Sequence, residues 1–443
     1  MGSWPENVGI LAIECVFPSL YVDQVELEEF NGAKKGRCVS GSGQLQLGFC
    51  TDREDIHSIC LTVVQRLLER YKIEPTAIGR LEVGSASFVD KSKSIKSVLM
   101  QLFEPYGVTD LEGLDANGCY GGTAALFNSI AWIESSSWNG RYAIVVAADV
   151  GVYADVTNIA AGAVAMLVGP NAPLVIDRGL RGTFMKYSLE CSKTDVRLEH
   201  SPTVNNLNAS EWYMETLQRT YQSYREKAQK QCDKIVTMDD FDYLLFHVPR
   251  CSVAKKAVDR LTVIDFINCI SKANCESFKN GESHEIENAE KAILDFSKET
   301  YEQKTLPSLL LTSRIGNMNT ASLYGSLVSL LISHSIEKLA GKKVGLFSYG
   351  SGLTGTMFSI TIAKDCNNNS KLSTMLSKLA DVKERLEKRK KVPPKDFTAI
   401  MGLREKALND KVPIFDIDHL FSGSYYLAKI DELHRREYKR KTY

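Results

Sequence analysis

The chain has 443 residues, of which 44% are hydrophobic and 24% are charged, and its 54 Lys and Arg residues balance 54 Asp and Glu residues. This composition is typical of a globular protein with one large or two medium domains, and the zero net charge argues against binding to nucleic acid or an anionic membrane through an overall field. Eleven cysteines without a C-x-x-C pair indicate neither a disulfide framework nor a zinc site.

Targeting signals are not evident in the sequence. Residues 1–9 contain neither the apolar core of a secretory signal nor an arginine-rich amphipathic stretch. The longest apolar run, near residues 327–332, is too short to span a bilayer. The odd number of cysteines also fits a reducing compartment. We therefore expect a soluble cytoplasmic protein.

Apolar strand patterns alternate with helical patterns along the first 175 residues. A capping box at residues 51–54 is expected to open the first long helix. Apolar runs of four to eight residues without polar alternation are typical of a sheet covered by helices on both faces. The expected strands cover residues 8–16, 80–84, 142–148 and 164–168, and further helices are expected at 93–103 and 123–136.

The second half of the chain repeats this outline. An apolar run at 308–312 predicts a strand, which leads through a Gly-Asn turn into a helix at 323–333. Two more strands, 343–349 and 356–363, flank the loop Gly350-Ser351-Gly352. The sequence thus predicts an α/β fold of two duplicated halves, residues 1–175 and 176–443, each with a sheet, and a helical excursion at about 200–305.

Cys119 is the most informative residue of the first half. It lies between a predicted strand and a long apolar helix, with Gly118 before it and Gly121 after it. Glycines allow a sharp turn, and the N-terminus of a helix stabilises negative charge, so a thiol placed there can react as a thiolate. The alternative is a buried structural cysteine, which is the commonest role of this residue type.

Several longer blocks of the sequence resemble 3-hydroxy-3-methylglutaryl-CoA (HMG-CoA) synthases, and their residues are most similar to those of the animal cytosolic type. The blocks are residues 81–84, 90–94, 100–103, 119–124, 134–138, 169–173, 347–352 and 434–436. The resemblance implies a thiolase-like fold, with helices covering and between mixed sheets, and a homodimer. It also implies CoA thioesters as substrates with no separate cofactor, since the family joins acetyl-CoA to acetoacetyl-CoA on the way to mevalonate.

The resemblance also implies roles for individual residues. Cys119 would take the acyl group as a thioester, a glutamate would remove a proton from the acyl methyl group, and His247 would assist acetoacetyl-CoA during the attack. Other matching positions would contact the substrate. These are Asn317, Ser351, Lys256, Asn158 and Tyr153.

The chain differs from the family at the position of the catalytic base. The family reads Gly-Thr-Glu-Thr where this chain reads Gly84-Ser85-Ala86-Ser87, so the glutamate falls on Ala86. A positioned general base contributes roughly 10² to 10⁴ in rate, and an alanine cannot supply it. Glu82 lies about four residues back along the predicted strand and Asp90 lies beyond its end, so neither is a convincing substitute.

Other segments differ from the family as well. The loop after Tyr153 is largely missing, two aromatic residues are lost in 189–194, where Glu190 replaces an aspartate, and Ser252 replaces a lysine. A naturally diverged paralogue explains these changes together. Three functions remain open. The first is a working or weakened HMG-CoA synthase in which water or Glu82 acts as the base. The second is an acyl-CoA thioesterase or other acyl transferase using Cys119, and the third is a relative without activity that binds CoA or an active subunit.

Overall fold

A computed structural model describes residues 4–33, 36–90, 92–151, 160–187, 191–192, 203–204, 209–273, 293–407 and 413–442. The strands are β1 Gly9–Val16, β2 Leu20–Asp23, β3 Gln46–Phe49, β4 Ile78–Ser85, β5 Asp115–Asn117, β6 Tyr142–Val150, β7 Ala161–Gly169, β8 Leu174–Met185, β9 Cys191–Ser192, β10 Thr203–Val204, β11 Tyr243–Phe246, β12 Lys343–Gly350, β13 Thr354–Ile362, β14 Lys390–Lys391, β15 Tyr425–Ile430 and β16 Arg436–Arg440. The α-helices are α1 Gln24–Phe30, α2 Arg37–Ser42, α3 Ile56–Tyr71, α4 Ile95–Leu99, α5 Gly121–Ile133, α6 Ala209–Cys232, α7 Cys251–Ala273, α8 Leu310–Ile315, α9 Ser322–Ser333, α10 Ile336–Leu339, α11 Lys371–Leu379, α12 Asp381–Glu387 and α13 Pro394–Ala407.

The two halves of the chain repeat one pattern of strand pairing. In the first half β1 pairs antiparallel with β7, β7 antiparallel with β6, and β6 parallel with β4. In the second half β8 pairs antiparallel with β13, β13 antiparallel with β12, and β12 parallel with β11. The corresponding strands also follow one another in the same order along the chain, as expected for an internal duplication.

The two sets of strands form one continuous sheet, whereas the sequence predicts a separate sheet in each half. The order is β11-β12-β13-β8-β1-β7-β6-β4-β5, and the halves meet where Gly9 pairs with Val175 and Ile10 with Leu174. A Cβ atom on Gly9 would lie 2.0 Å from the carbonyl oxygen of Leu174. Only glycine allows the two backbones to approach this closely, and apolar periodicity gives no sign of such a junction.

The segment 308–312 is helical, so the strand predicted there is wrong. A 3₁₀ turn, Leu306–Leu309, leads into α8, and α8 ends at Gly316, which has a φ of 102°. Pro307 fits the first turn of a helix because no intrahelical partner is needed for its missing N–H. A short buried apolar run has the same appearance in a strand and in a helix, which is why periodicity failed here.

Residues 200–305 contain the long helices α6 and α7, as the sequence predicts, but they also contain β11, an edge strand of the main sheet. Its four residues, Tyr243–Phe246, pair in parallel with β12. The region therefore belongs to the sheet and is more than a helical excursion.

Helix α3 has the predicted apolar face but a different start. The side chain of Asp55 accepts a hydrogen bond from the amide of Ser58 at 2.9 Å, and the Ser58 hydroxyl accepts one from the amide of Asp55 at 3.0 Å. The capping box is therefore formed by Asp55 and Ser58, and Thr51 instead accepts from the amide of Arg53 at 3.3 Å. In the described part of the chain, no helix is both long and apolar enough to cross a membrane.

Candidate active site

Cys119 lies in a sharp turn between β5 and α5. Gly118 before it has a φ of 92°, a region that favours glycine, and the Gly118 amide donates to the carbonyl of Ser85 at 2.9 Å. The Cys119 side chain is half-buried, whereas Cys15 and Cys60 are fully buried. The thiol is therefore partly accessible and lies just before a helix N-terminus, whose dipole favours a thiolate. The amides of Gly121, Thr123 and Ala124 in the first turn already donate to the carbonyls of Gly118 and Tyr120.

The turn is packed tightly against its neighbours. A Cβ atom on Gly84 would lie 2.1 Å from the amide nitrogen of Gly122, and one on Gly350 would lie 2.9 Å from the amide nitrogen of Tyr120. The end of β4, the start of α5 and the end of β12 therefore meet with their backbones in contact. This brings position 86, Cys119 and the loop of Ser351 to one place.

Asp149 fixes the backbone at position 86. Its Oδ1 atom accepts hydrogen bonds from the amide of Ala86 at 2.7 Å and from the hydroxyls of Ser85 and Ser87 at 3.1 and 2.9 Å. Its Oδ2 atom accepts from the amide of Thr320 at 2.8 Å. Burial raises the pKa of Asp149, and the hydrogen bonds from Thr320 and Ala86 oppose that rise.

Asp149 was not among the residues predicted from the sequence. Its signal was an acidic residue directly after the apolar run 142–148, where a strand reaches the edge of the sheet. The structure extends β6 to Val150 and leaves Asp149 fully buried. A buried carboxylate must find donors, and here those donors come from both halves of the chain.

Both acidic residues considered from the sequence are engaged in other contacts. The Glu82 carboxylate is buried and binds Arg80, with Oε1 at 2.8 Å from Nε and 2.6 Å from Nη2. It lies four residues from Ala86 on an extended strand, which separates them by roughly 13 Å. Asp90 is exposed and accepts from the amide and hydroxyl of Ser92 at 2.8 and 2.7 Å.

His247 directly follows β11, the strand that pairs in parallel with β12. Its amide donates to the carbonyl of Phe347 at 2.7 Å, and its own carbonyl accepts from the hydroxyl of Tyr213 at 2.8 Å. The imidazole is buried, with its ring centroid 6.3 Å from that of Tyr349. Burial lowers the pKa of His247 to about 4, so the ring is neutral near pH 7 and can donate one hydrogen bond without carrying charge.

Asn317 is buried in the turn between α8 and α9. Its Oδ1 atom accepts from the amide of Asn319 and the hydroxyl of Ser322, both at 2.9 Å. In the same turn, the Thr320 hydroxyl donates to the carbonyl of Gly118 at 3.3 Å. Because Thr320 also binds Asp149, the turn of Asn317 is connected directly to the turn of Cys119 and to position 86.

The remaining sequence-predicted positions are less informative. Ser351 is exposed in the loop after β12, and Lys256 is exposed on the second turn of α7. Tyr153, Asn158 and Glu190 lie outside the described residues. Over the described ranges, no group of three or more His, Cys, Asp or Glu side chains could hold a metal ion. The candidate groups are thus a thiol at a helix N-terminus, a buried imidazole and several hydrogen-bonding groups.

Comparisons with known proteins agree along the whole chain. A family model described as "Hydroxymethylglutaryl-coenzyme A synthase N terminal" matches residues 4–173, and its C-terminal counterpart matches residues 174–441. A Mus musculus protein named "Hydroxymethylglutaryl-CoA synthase, cytoplasmic" is 46% identical over 462 residues, covering 99% of this chain and 88% of that protein. The mitochondrial protein of Mus musculus is 45% identical over 460 residues, covering 99% and 90%.

A solved structure described as "MvaS in complex with 3-hydroxy-3-methylglutaryl coenzyme A" superposes with a TM-score of 0.84 at 28% identity, covering 98% of this chain and 99% of that one. These matches confirm the family resemblance drawn from the sequence and its thiolase-like α/β fold.

Proposed function

Because the chain belongs to the hydroxymethylglutaryl-CoA synthase family, we propose that Cys119 accepts an acyl group from acetyl-CoA or another acyl-CoA, and that condensation with acetoacetyl-CoA to give HMG-CoA is weak or lost. The observation that carries the proposal is a well-fixed backbone at position 86 without a base on it. Hydrogen bonds through Asp149 and Thr320 hold position 86 beside the turn of Cys119, while the side chain there is a methyl group.

The first step needs only what the site contains. The Cys119 thiolate attacks the thioester carbonyl, a new carbon–sulfur bond forms to the protein, and the bond to the CoA sulfur breaks. The CoA thiolate leaves and takes up a proton. The helix N-terminus stabilises the negative charge on the attacking sulfur, and nearby N–H groups can stabilise the oxyanion.

The second step is where the chain departs from its family. Condensation requires a base to remove a proton from the acyl methyl group, which is a very weak acid. Asp149 is not suited to that task because it is fully buried and both of its oxygens already accept hydrogen bonds. Without a carboxylate at position 86 we expect a loss of roughly 10² to 10⁴ in the rate of this step.

His247 would act on the second substrate as a neutral group. Its buried imidazole has its pKa lowered to about 4, so it would polarise the acetoacetyl carbonyl through an N–H hydrogen bond. Asn317, Ser351, Lys256, Tyr153 and Asn158 remain proposed contacts for the substrate on the strength of the resemblance. The proposal includes no separate cofactor.

Intact-mass measurement tests the acylation step. Incubation with acetyl-CoA should add one acetyl group to the native protein and to a Cys366→Ala control, which removes an exposed cysteine. Cys119→Ser should take up none. A native protein that forms no adduct would exclude both enzymatic functions and leave a binding role.

Adding acetoacetyl-CoA to the acylated protein then tests condensation. We expect HMG-CoA at a rate far below that of a family member with the glutamate. Full turnover would show that another group acts as base. If acetate is released at a useful rate without acetoacetyl-CoA, the protein is an acyl-CoA thioesterase. The half-buried thiol at a helix N-terminus favours acylation over a binding role alone.

We also propose a homodimer in the cytoplasm. Strand β5 is an edge strand of the main sheet and leads directly to Cys119. Leu114, just before β5, is 53% exposed, and Tyr106 nearby in the chain is 58% exposed. An exposed sheet edge with apolar neighbours is a natural surface for a second copy, and pairing there would protect the edge.

A further inference from the structure

Three buried hydroxyl groups form a chain of hydrogen bonds below the nucleophile. The Thr123 hydroxyl donates to Oγ of Ser348 at 2.7 Å and lies 2.9 Å from the hydroxyl of Tyr324. Since the single proton of Thr123 goes to Ser348, Tyr324 must be the donor to Thr123. All three side chains are buried, so the bonds form where no bulk water competes.

Each hydroxyl belongs to a different element of the site. Thr123 is on α5, one helical turn after Cys119. Tyr324 is on α9, directly after the turn that contains Asn317. Ser348 is on β12, beside Phe347, whose carbonyl accepts the His247 amide. The three hydroxyls therefore connect the elements that carry Cys119, Asn317 and His247.

The packing at this level leaves little room for a substitute. A Cβ atom on Gly122 would lie 2.7 Å from Cβ of Ala147 and 3.2 Å from Cε2 of Tyr324. Helix α5 is thus in direct contact with β6 and α9 beside Thr123. A lost hydroxyl would leave Tyr324 and Ser348 with an unsatisfied group each, in a place too tight for repacking.

We propose that Thr123 is a positioning residue that sets the placement of Cys119 relative to the elements of Asn317 and His247. The inference rests on the proposed role of Cys119 as acyl acceptor. Thr123 does not touch the substrate; it acts by holding α5 against α9 and β12 through one hydroxyl with two partners. Because a shift of about 1 Å in a reacting group can cost roughly a hundredfold in rate, a single buried hydroxyl is enough to matter.

The test compares four variants of the full chain. Thr123→Val removes the hydroxyl at nearly constant volume, and Thr123→Ser keeps it. Thr262→Val is the matched control, because Thr262 is also buried on a helix and donates to the carbonyl of Val258 at 2.9 Å. Tyr324→Phe removes only one link and serves as a second variant if Thr123→Val fails to fold.

Two readouts separate positioning from general destabilisation. The first is the alkylation rate of Cys119 by iodoacetamide, measured by peptide mass with the exposed Cys366 as internal reference. The second is acylation by acetyl-CoA, from which we obtain the maximal rate and the acetyl-CoA concentration that gives half of that rate. We expect Thr123→Val to lower both rates by about tenfold or more with little change in that concentration. Thr123→Ser and Thr262→Val should stay near the native rates.

Native rates in folded Thr123→Val and Tyr324→Phe would overturn the inference, as would an equal loss in Thr262→Val. Failure of the proposed function has a different outcome. In that case the native protein forms no acetyl adduct, while alkylation of Cys119 still depends on Thr123.

Discussion

The amide of Ala86 donates a hydrogen bond of 2.7 Å to Oδ1 of Asp149, and through Oδ2 the same carboxylate accepts from Thr320 in the other half of the chain. The loop that should carry the general base is therefore held by its backbone. Any residue except proline supplies that amide. The loop therefore keeps its position although the side chain of Ala86 cannot act as a base.

Restoring the carboxylate should restore the proton transfer. For Ala86→Glu we expect exchange of the acyl methyl protons with solvent deuterium to rise by about 10² to 10⁴, because the loop is already in place. The exchange is measured by mass spectrometry of the acylated protein in D₂O. Ala86→Gln is the control of equal size, and equal exchange in the two variants would contradict the prediction.

Complete condensation should recover less than the exchange does in Ala86→Glu. The segments 155–162 and 189–194 also differ from the family in sequence, so we expect the second substrate to bind less well than it does in the family. HMG-CoA formation near family rates in this variant would show that those segments do not matter.

The burial of His247 predicts a pH dependence of stability. Between its usual pKa near 6.5 and its folded pKa of about 4, the unfolded chain binds a proton that the folded chain does not. The contribution of His247 to stability therefore falls as the pH drops through this window, by on the order of 3 kcal/mol at the acid end. Urea unfolding of the native protein and His247→Asn from pH 7.5 to 4.5 measures it as the difference between the two.

A difference measurement is needed because Glu54 acts in the opposite direction. Burial raises the pKa of Glu54 to about 7, so the folded chain binds this proton more tightly and acid stabilises it between about pH 7 and 4.5. In Glu54→Gln, the free energy of unfolding should therefore fall more steeply with decreasing pH than it does in the native protein. A constant difference between native and His247→Asn across the range would refute the prediction.

Gly84 should tolerate no side chain. A Cβ atom there would lie 2.1 Å from the backbone nitrogen of Gly122, so Gly84→Ala must push α5 away from β4. We expect a loss of about 3 kcal/mol in the free energy of unfolding and loss of acylation at Cys119.

Gly402→Ala is the matched control for Gly84→Ala. Gly402 lies within α13 and has nothing within 4 Å of an added Cβ, so this change should stabilise the protein by about 0.5 to 1 kcal/mol. Denaturant titration measures the free energy of unfolding of both variants. Similar changes at the two sites would show that Gly84 is not closely packed against α5.

The proposed dimer surface predicts a charge-sensitive association. Leu114→Asp places a carboxylate beside the β5 edge and should shift the protein toward monomer in sedimentation velocity experiments, because burying an unpaired charge is costly. Leu433→Asp changes an equally apolar residue, 72% exposed, on the loop between β15 and β16 and should have no effect. Unchanged association in Leu114→Asp would exclude this edge as the interface.

Local patterns in the sequence were sufficient for the elements around Cys119. Glycines on both sides of Cys119 and an apolar helix after it predicted the turn. Uniform apolar runs predicted the strands β1, β4, β6, β7, β12 and β13, but not β8 or β11. The longer blocks of resemblance then identified the family. These signals are local, because each depends on residues that are neighbours in the chain.

Contacts between distant segments could not be read in this way. Asp149 looked like the polar end of a strand, since its partners Ala86 and Thr320 are 63 and 171 residues away. Likewise Thr123 looked like an ordinary helical residue, because Tyr324 and Ser348 are both far along the chain. Such pairs depend on how the two halves meet.

The repeat of strand order gives α5 and α9 equivalent places, and the turns before them are joined by the hydrogen bond from Thr320 to Gly118. One turn carries a thiol and the other an amide. Two identical subunits related by a symmetry axis would have to carry the same residue at both places. Joining the copies in one polypeptide removes that constraint, so each half can change its residues independently. The loss of the carboxylate at position 86 therefore does not alter Asn317 or His247 in the second half.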